Sequence, residues 1–164
     1  MADPRIPRAV GYWGTGDPPS RFPRPQWLVR PGWRAEERDR IAAYLRAGKM
    51  VNGWSGLARC RFEGCGILLG CCDMTDGRWV WPQKMEHYIL EHAVSLPDEF
   101  IDDMRAAGWQ VPAELDGEEV GSQIENAGLI FGDLTFWYAW GQRMRPTVGH
   151  DSNPVRTGSE SCPT

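Results

Sequence analysis

The sequence predicts a small α+β domain that a zinc ion stabilises. Three observations predict this fold class: segments with helical apolar periodicity, two short strand-like runs around Asp76–Gly77, and the ligand order C-x4-C followed by H-x4-H. Cys60, Cys65, His87 and His92 form that ligand order. At 164 residues, the chain is long enough to bury a hydrophobic core of its own.

A proline-rich arm, residues 1–33, is expected to precede the zinc-binding α+β domain, residues 34–145, which a flexible tail at 146–164 follows. Prolines recur throughout the arm, so this segment cannot sustain a helix and should run extended. Apolar side chains such as Tyr12 and Trp27 are spaced along it. We therefore expect an arm that packs across the domain; a disordered leader is the alternative.

Three segments carry clear helix signals. In the first, at 34–47, acidic residues occupy the first turn and Gly48 supplies the C-terminal stop. The second, at 82–91, begins with Pro82, whose missing N–H costs nothing at the first helical position. The third, at 97–107, has an apolar stripe and ends before a glycine.

Strand signals flank the Asp76–Gly77 pair. The runs 67–74 and 78–81 predict a β-hairpin, because Asp and Gly both tolerate the positive φ of a tight turn. Residues 50–59 are compatible with a loop or a short strand, and both 121–131 and 134–140 with a helix or a strand. The expected core comprises Trp33, Ile41, Leu45, Trp54, Trp79, Trp81, Ile89, Phe100, Ile101 and Met104.

The spacing of the cysteines and histidines favours a zinc site. Paired thiolates would come from a turn and paired imidazoles from the next helix, although His92 lies about 140° around an ideal helix from His87. The two imidazoles can converge if the helix tightens or unwinds near its end. The alternative is that Cys60 and Cys65 are small buried residues and the histidines ordinary side chains. Cys71 or Cys72 could replace His92 and give a three-sulfur site.

The chain resembles a group of short bacterial proteins of uncharacterised activity. The matching stretches are Tyr12-Trp13-Gly14, Asp76-Gly77-Arg78-Trp79-Val80-Trp81-Pro82, His87-Tyr88-Ile89-Leu90-Glu91-His92 and Leu96-Pro97. The resemblance covers about residues 11–104 and implies that Cys60, Cys65, His87 and His92 are paired metal ligands. It implies no activity. This chain departs from the group's pattern in Glu63–Gly64, which resemble an insertion between the cysteines.

The composition limits the classes of partner. A net charge of -4 argues against nucleic-acid binding, which relies on a basic surface, although arginines crowd the arm. No apolar run approaches the length of a membrane span, and the N-terminus lacks the apolar core of a signal peptide. We therefore expect a cytoplasmic protein, in whose reducing environment clustered cysteines serve as ligands more often than as disulfides.

Three functions remain open from the sequence. The first is a non-catalytic, zinc-organised module that binds a protein partner, because four protein ligands leave zinc no open position. A second is a zinc-dependent hydrolase that uses Glu86 or Glu91, although the segment matches neither H-E-x-x-H nor H-x-x-E-H. The third is a nucleic-acid-binding zinc-finger protein, whose helix would need basic residues where this chain is acidic.

Overall fold

A four-stranded mixed sheet lies at the centre of the computed structural model, which describes residues 6–147. The strands are β1 (Arg8–Ala9), β2 (Lys49–Gly53), β3 (Cys72–Thr75) and β4 (Trp79–Pro82). Their order is β1-β4-β3-β2; β1 pairs with β4 in parallel and the other pairs are antiparallel.

Five α-helices surround this sheet within the described range, and together they confirm the predicted α+β class. They are α1 (Arg38–Ala47), α2 (Met85–His92), α3 (Asp98–Ala106), α4 (Gly117–Asn126) and α5 (Thr135–Met144). A short 3-10 helix spans Pro25–Leu28. Among residues 6–147, no helix has the length and apolar composition needed to cross a bilayer.

Side-chain alternation along β4 divides the core into two parts. Trp79 and Trp81 are buried in the larger cluster with residues of α1, α2, α3 and α5. Val80, between them, belongs to a smaller cluster with Val120 and Ile124 of α4. Because successive strand residues point to opposite faces, α4 covers one face of the sheet and the other helices cover the opposite face.

The turn between β3 and β4 is held by Asp76, as the Asp-Gly signal predicts. Its Oδ1 accepts hydrogen bonds from the backbone N–H groups of Arg78 (2.8 Å) and Trp79 (2.7 Å), and Tyr44 donates its hydroxyl to Oδ2 at 2.7 Å. Asp76 is buried, and these donors satisfy its carboxylate. This aspartate therefore has a structural role at the centre of the hairpin.

Close approach of α4 to β2 depends on Gly117. A Cβ at this position would overlap the backbone carbonyl of Met50. A larger residue would force the helix away from the strand, because a backbone carbonyl cannot rotate aside as a side chain can. The sequence gives a second glycine on the same helix, Gly121, which also faces β2. Both glycines therefore allow α4 to approach the strand closely.

The described part of the arm packs on the domain. β1 extends the sheet at β4, and the backbone of Val10 donates to the carbonyl of Val80 at 2.9 Å. Farther along, Ser95 donates both its N–H (2.8 Å) and its hydroxyl (2.9 Å) to the carbonyl of Leu28. Residues 1–5, and all of the predicted tail except 146 and 147, lie outside the described residues.

Several predicted boundaries were wrong. The first helix begins at Arg38 rather than at 34, since Arg34 adopts a positive φ of 45°. The second begins at Met85 because Pro82 still belongs to β4 and Lys84 has a φ of 61°. Of the predicted strand 67–74, only the last residues join the sheet. The two segments left open, 121–131 and 134–140, contribute helical residues to α4 and α5.

Two tryptophans expected in the core are not buried there. Trp54 is 44% exposed, and Trp33 is only partly buried at the edge of the larger cluster. Trp33 lies in a turn, and Trp54 directly follows the end of β2. At such positions a large ring can lie across the surface. The other eight expected core residues are buried.

Candidate metal centre

The two cysteines lie on an irregular hairpin, residues 54–70, that projects between β2 and β3; we call it the cysteine hairpin. Its two arms are joined by backbone hydrogen bonds from Cys60 to the Ile67 carbonyl (3.0 Å) and from Leu69 to the Ala58 carbonyl (2.8 Å). At the tip, Cys65 donates to the Phe62 carbonyl at 3.2 Å and closes a turn. Gly64 has a φ of 77° in this turn, a conformation that glycine adopts without strain. The turn brings both thiols to the same side.

The two histidines lie at opposite ends of α2. His87 is in its first turn and His92 is its last residue. After His92 the chain enters a left-handed conformation at Ala93, whose N–H bonds to the carbonyl of Tyr88 five positions earlier rather than four. The helix therefore remains helical through His92 and ends directly after it. The two imidazole centroids are 5.0 Å apart, so the two rings lie close together although an ideal helix rotates the side chains by about 140° between these positions.

All four side chains meet at one point. One potential ligand atom from each of Cys60, Cys65, His87 and His92 lies within 4.8 Å of every other. Cys60 Sγ is 3.3 Å from His92 Nε2, and Cys65 Sγ is 3.4 Å from His87 Nε2. The cysteines and histidines thus form two S–N pairs, one at each end of α2.

The two S–N distances are compatible with a tetrahedral metal site. Bonds of about 2.3 Å to sulfur and about 2.0 Å to nitrogen would place tetrahedral S and N ligands about 3.5 Å apart. The two measured S–N distances are within a few tenths of an ångström of this value. The arrangement is therefore compatible with a metal site.

Tyr88 supports the cluster by connecting α2 to the cysteine hairpin. Its hydroxyl oxygen accepts the backbone N–H of Arg61 at 3.1 Å, which ties α2 to the cysteine hairpin. Phe62, next to Arg61, stacks on the imidazole of His92 with ring centroids 4.0 Å apart. Burial raises the pKa of Tyr88 to about 12, so its hydroxyl stays neutral at pH 7. Side chains that orient metal ligands in this way are typical of metal sites.

The protonation of two ligands is shifted by their surroundings. Burial raises the pKa of the Cys60 thiol, and burial together with His87 lowers the pKa of His92. Both shifts favour the neutral side chain. A neutral imidazole can offer its lone pair directly, whereas a thiol loses its proton when it binds a metal.

The other residues considered from the sequence lie elsewhere. Glu86 is 14% exposed and pairs with Arg46 of α1, with Nε and Oε1 3.5 Å apart. Glu91 lines the open outer side of the cluster. Cys71 and Cys72 do not join it; their sulfurs are 3.9 Å from each other and face a separate cleft.

Sequence reasoning missed the supporting role of Tyr88 and the position of Asp73. Tyr88 directly follows His87. An aromatic residue between two candidate ligands on one helix was the sequence feature that could have indicated its supporting role. Asp73 is a buried carboxylate in β3. A charged residue inside an otherwise apolar strand was the signal for it.

Comparison of the chain with protein-family models, curated proteins and solved structures finds no match.

Proposed function

We propose that Cys60, Cys65, His87 and His92 bind one Zn²⁺, and that the domain is a non-catalytic protein-interaction module of a bacterial cytoplasmic protein. The observation that supports this proposal is the convergence of two thiol sulfurs and two imidazole nitrogens within 4.8 Å. A set of two sulfurs and two nitrogens in tetrahedral positions is typical of zinc. The histidines favour zinc over an all-cysteine iron–sulfur cluster.

The number of ligands favours a structural role. Four protein ligands complete a tetrahedral shell and leave no position for the water that a hydrolytic zinc site activates. Glu86, one candidate base, is held against α1 by its ion pair with Arg46. Glu91 lies on the outer side, where an exposed carboxylate on a helix is ordinary. A hydrolase therefore has less support than a structural site.

The cysteine hairpin also carries a candidate interaction surface. Leu57, Ile67 and Leu68 are each between 42% and 56% exposed, and we call them the hairpin patch. Apolar side chains grouped on a projecting element commonly mark a protein-binding surface. Zinc would fix the orientation of this patch relative to α2.

Nucleic acid has less support as a partner because several arginines in and next to the arm make internal contacts. Arg34 pairs with Asp98 at 2.7 Å, and the guanidinium of Arg8 lies over the rings of Trp79 and Phe136. Arg21 lies over the ring of Tyr138. Basic side chains engaged in this way offer less charge to a phosphate backbone.

Metal analysis with cobalt substitution tests the site. We expect about one zinc per chain in the purified protein and a tetrahedral visible spectrum, with thiolate-to-cobalt charge transfer, after exchange for Co²⁺. Cys60→Ser and His87→Ala should each lose the metal or change the spectrum. Cys72→Ser is the matched control, because Cys72 lies outside the cluster. Full metal content in both ligand variants would refute this ligand set, and a five- or six-coordinate spectrum would favour a site with bound water.

Crosslinking mass spectrometry with matched surface variants tests the interaction. A protein that crosslinks to the hairpin patch should lose most of its crosslinks to Ile67→Lys, because the lysine places a charge in an apolar contact. Ile130→Lys is the control, since Ile130 is 61% exposed in the segment between α4 and α5. Equal loss with both variants, or crosslinks that avoid the hairpin, would contradict the proposed surface.

A further inference from the structure

A cleft on the other side of the cysteine hairpin contains a buried carboxylate. The cleft has a volume of about 420 Å³ and is lined mainly by apolar side chains, with Asp73 among the lining residues. This volume falls within the range of about 300–1,000 Å³ that is usual for small-molecule sites. The cysteine hairpin forms one wall, and the arm after β1, strand β3, the start of α2 and Phe131 contribute the rest.

Asp73 lacks a cationic partner in this environment. It is 3% exposed, and among residues 6–147 no lysine, arginine or histidine forms an ion pair with it. The indole N–H of Trp54 donates to Oδ2 at 2.9 Å. Within the same range no donor is bonded to Oδ1. A buried carboxylate usually has a counter-charge or a full set of donors, and Asp73 has neither.

Other polar groups in the cleft are also incompletely bonded. The hydroxyl of Tyr12 lies near Asp73 without making a hydrogen bond of standard geometry, and the indole N–H of Trp13 has no partner among the described residues. Both residues line the cleft. Burial raises the pKa of Asp73, while the nearby donor groups of Trp54 and Tyr12 oppose this shift. Asp73 is therefore a buried carboxylate close to the hydroxyl of Tyr12, and among residues 6–147 it has no cationic partner.

Aromatic rings form the wall beside this carboxylate. Phe131 is at the centre of the group, with ring centroids 4.6 Å from Tyr12, 5.7 Å from Trp54 and 6.4 Å from Phe22. The faces of aromatic rings attract cations, and several rings around one carboxylate are a common arrangement for binding organic ammonium groups. Arg59 and Arg61 also line the cleft, but both are exposed residues whose charge water screens.

We propose that this cleft binds a small organic ammonium compound with an apolar body. The ammonium group would donate to Asp73, and its apolar body would lie against the aromatic wall. This site is separate from the cysteine and histidine cluster and does not depend on which metal that cluster binds. The two sites share the cysteine hairpin, which supplies two ligands of the cluster, and helix α2, whose Tyr88 lines the cleft and whose His87 and His92 belong to the cluster.

Titration with benzylammonium and with benzyl alcohol tests this proposal. The two probes have the same ring and nearly the same size, and only the first carries a positive charge at pH 7. The readout is the NMR signal of the Trp54 indole N–H, which donates to Asp73 and is assigned with Trp54→Phe. We expect a saturable shift with benzylammonium and an affinity roughly 10- to 100-fold higher than that of benzyl alcohol, as a charge-assisted hydrogen bond implies.

Three variants test whether probe binding depends on Asp73 and on this cleft. Asp73→Asn should remove the preference for the charged probe, whereas Asp102→Asn, a change at an exposed residue of α3, should keep it. Ala58→Trp adds a ring from an exposed position on the wall of the cleft and should block both probes, even if Asp73→Asn does not fold. Metal content is measured in each variant, so that a failure of the proposed ammonium site can be distinguished from a failure of the proposed zinc site.

Three results would overturn the proposal. They are equal affinity of the two probes in the unchanged protein, an undiminished preference in Asp73→Asn, and the absence of a saturable shift up to about 50 mM benzylammonium, well above the millimolar range of weak ligands. Equal affinity would indicate that Asp73 is protonated and acts as a neutral hydrogen-bonding group.

Discussion

Removal of the metal is expected to increase amide hydrogen exchange in the cysteine hairpin by about a thousandfold while the core remains folded. Most residues of this hairpin are exposed, so apolar burial contributes little to its stability. Its contacts with α2 come mainly from the four candidate ligands, the hydrogen bond between Arg61 and Tyr88 and the stacking of Phe62 on His92. If the hairpin must release the metal in order to open, a metal present at about 1,000 times its Kd stabilises the closed form by about 4 kcal/mol.

Hydrogen exchange followed residue by residue measures this effect. The amides of Cys60 and Leu69 report on the hairpin because both are hydrogen-bonded across it. The amide of Ile101 in α3 reports on the core and should change little when a chelator is added. Cys60→Ser should reproduce the effect of the chelator, and Cys72→Ser should not. Unchanged protection of Cys60 and Leu69 after complete metal removal would show that the hairpin does not depend on the ion.

Replacing Trp81 with alanine is expected to lower the free energy of unfolding by about 3–5 kcal/mol, the usual cost of removing a large buried aromatic side chain. Trp81 is fully buried on β4, and its ring centroid is 5.5 Å from that of Phe100 and 6.3 Å from that of Tyr44. Its indole N–H donates to the carbonyl of Leu45 at 3.3 Å. The substitution therefore removes contacts with α1 and α3 together and one of the hydrogen bonds to the Leu45 carbonyl.

Chemical denaturation of two variants checks this prediction. Trp33→Ala is the matched control, because Trp33 is only partly buried at the edge of the same core. It should cost about 1 kcal/mol or less, as is usual for changes near the surface. Since small domains are stable by only about 5–15 kcal/mol, Trp81→Ala should leave a much larger unfolded fraction. Similar costs for the two variants would contradict the assignment of Trp81 to the centre of the core.

Local signals in the sequence were sufficient for part of the fold. The Asp-Gly turn, the apolar stripe of α3 and the glycine that follows it depend on neighbouring residues, and the structure agrees with them to within a few residues. The boundary errors at Arg34 and Lys84 arose because a positive φ at a non-glycine residue has no local signature. The tertiary structure holds these residues in that conformation.

Long-range pairing could not be predicted in the same way. Strand β1 has only two residues, and its parallel partner β4 is about seventy positions later in the chain. Two residues contain no periodicity to detect. For the candidate metal centre, the ligand spacing indicated the two cysteines and two histidines. Their convergence, however, depends on the path of the cysteine hairpin. The cleft around Asp73 is formed by segments that lie far apart in the chain, and it had no sequence pattern of its own.

The contact between the arm and α5 has a consequence for synthesis on the ribosome. The indole N–H of Trp137 donates to the carbonyl of Tyr12 at 2.8 Å, across 125 positions of the chain. At about 5–20 residues per second, α5 is made roughly 6–25 s after this part of the arm. In that interval the aromatic side chains of the arm lack their final partner and are available to chaperones. A nascent chain stalled before α5 would therefore display its N-terminal aromatic residues to the cell's quality-control machinery.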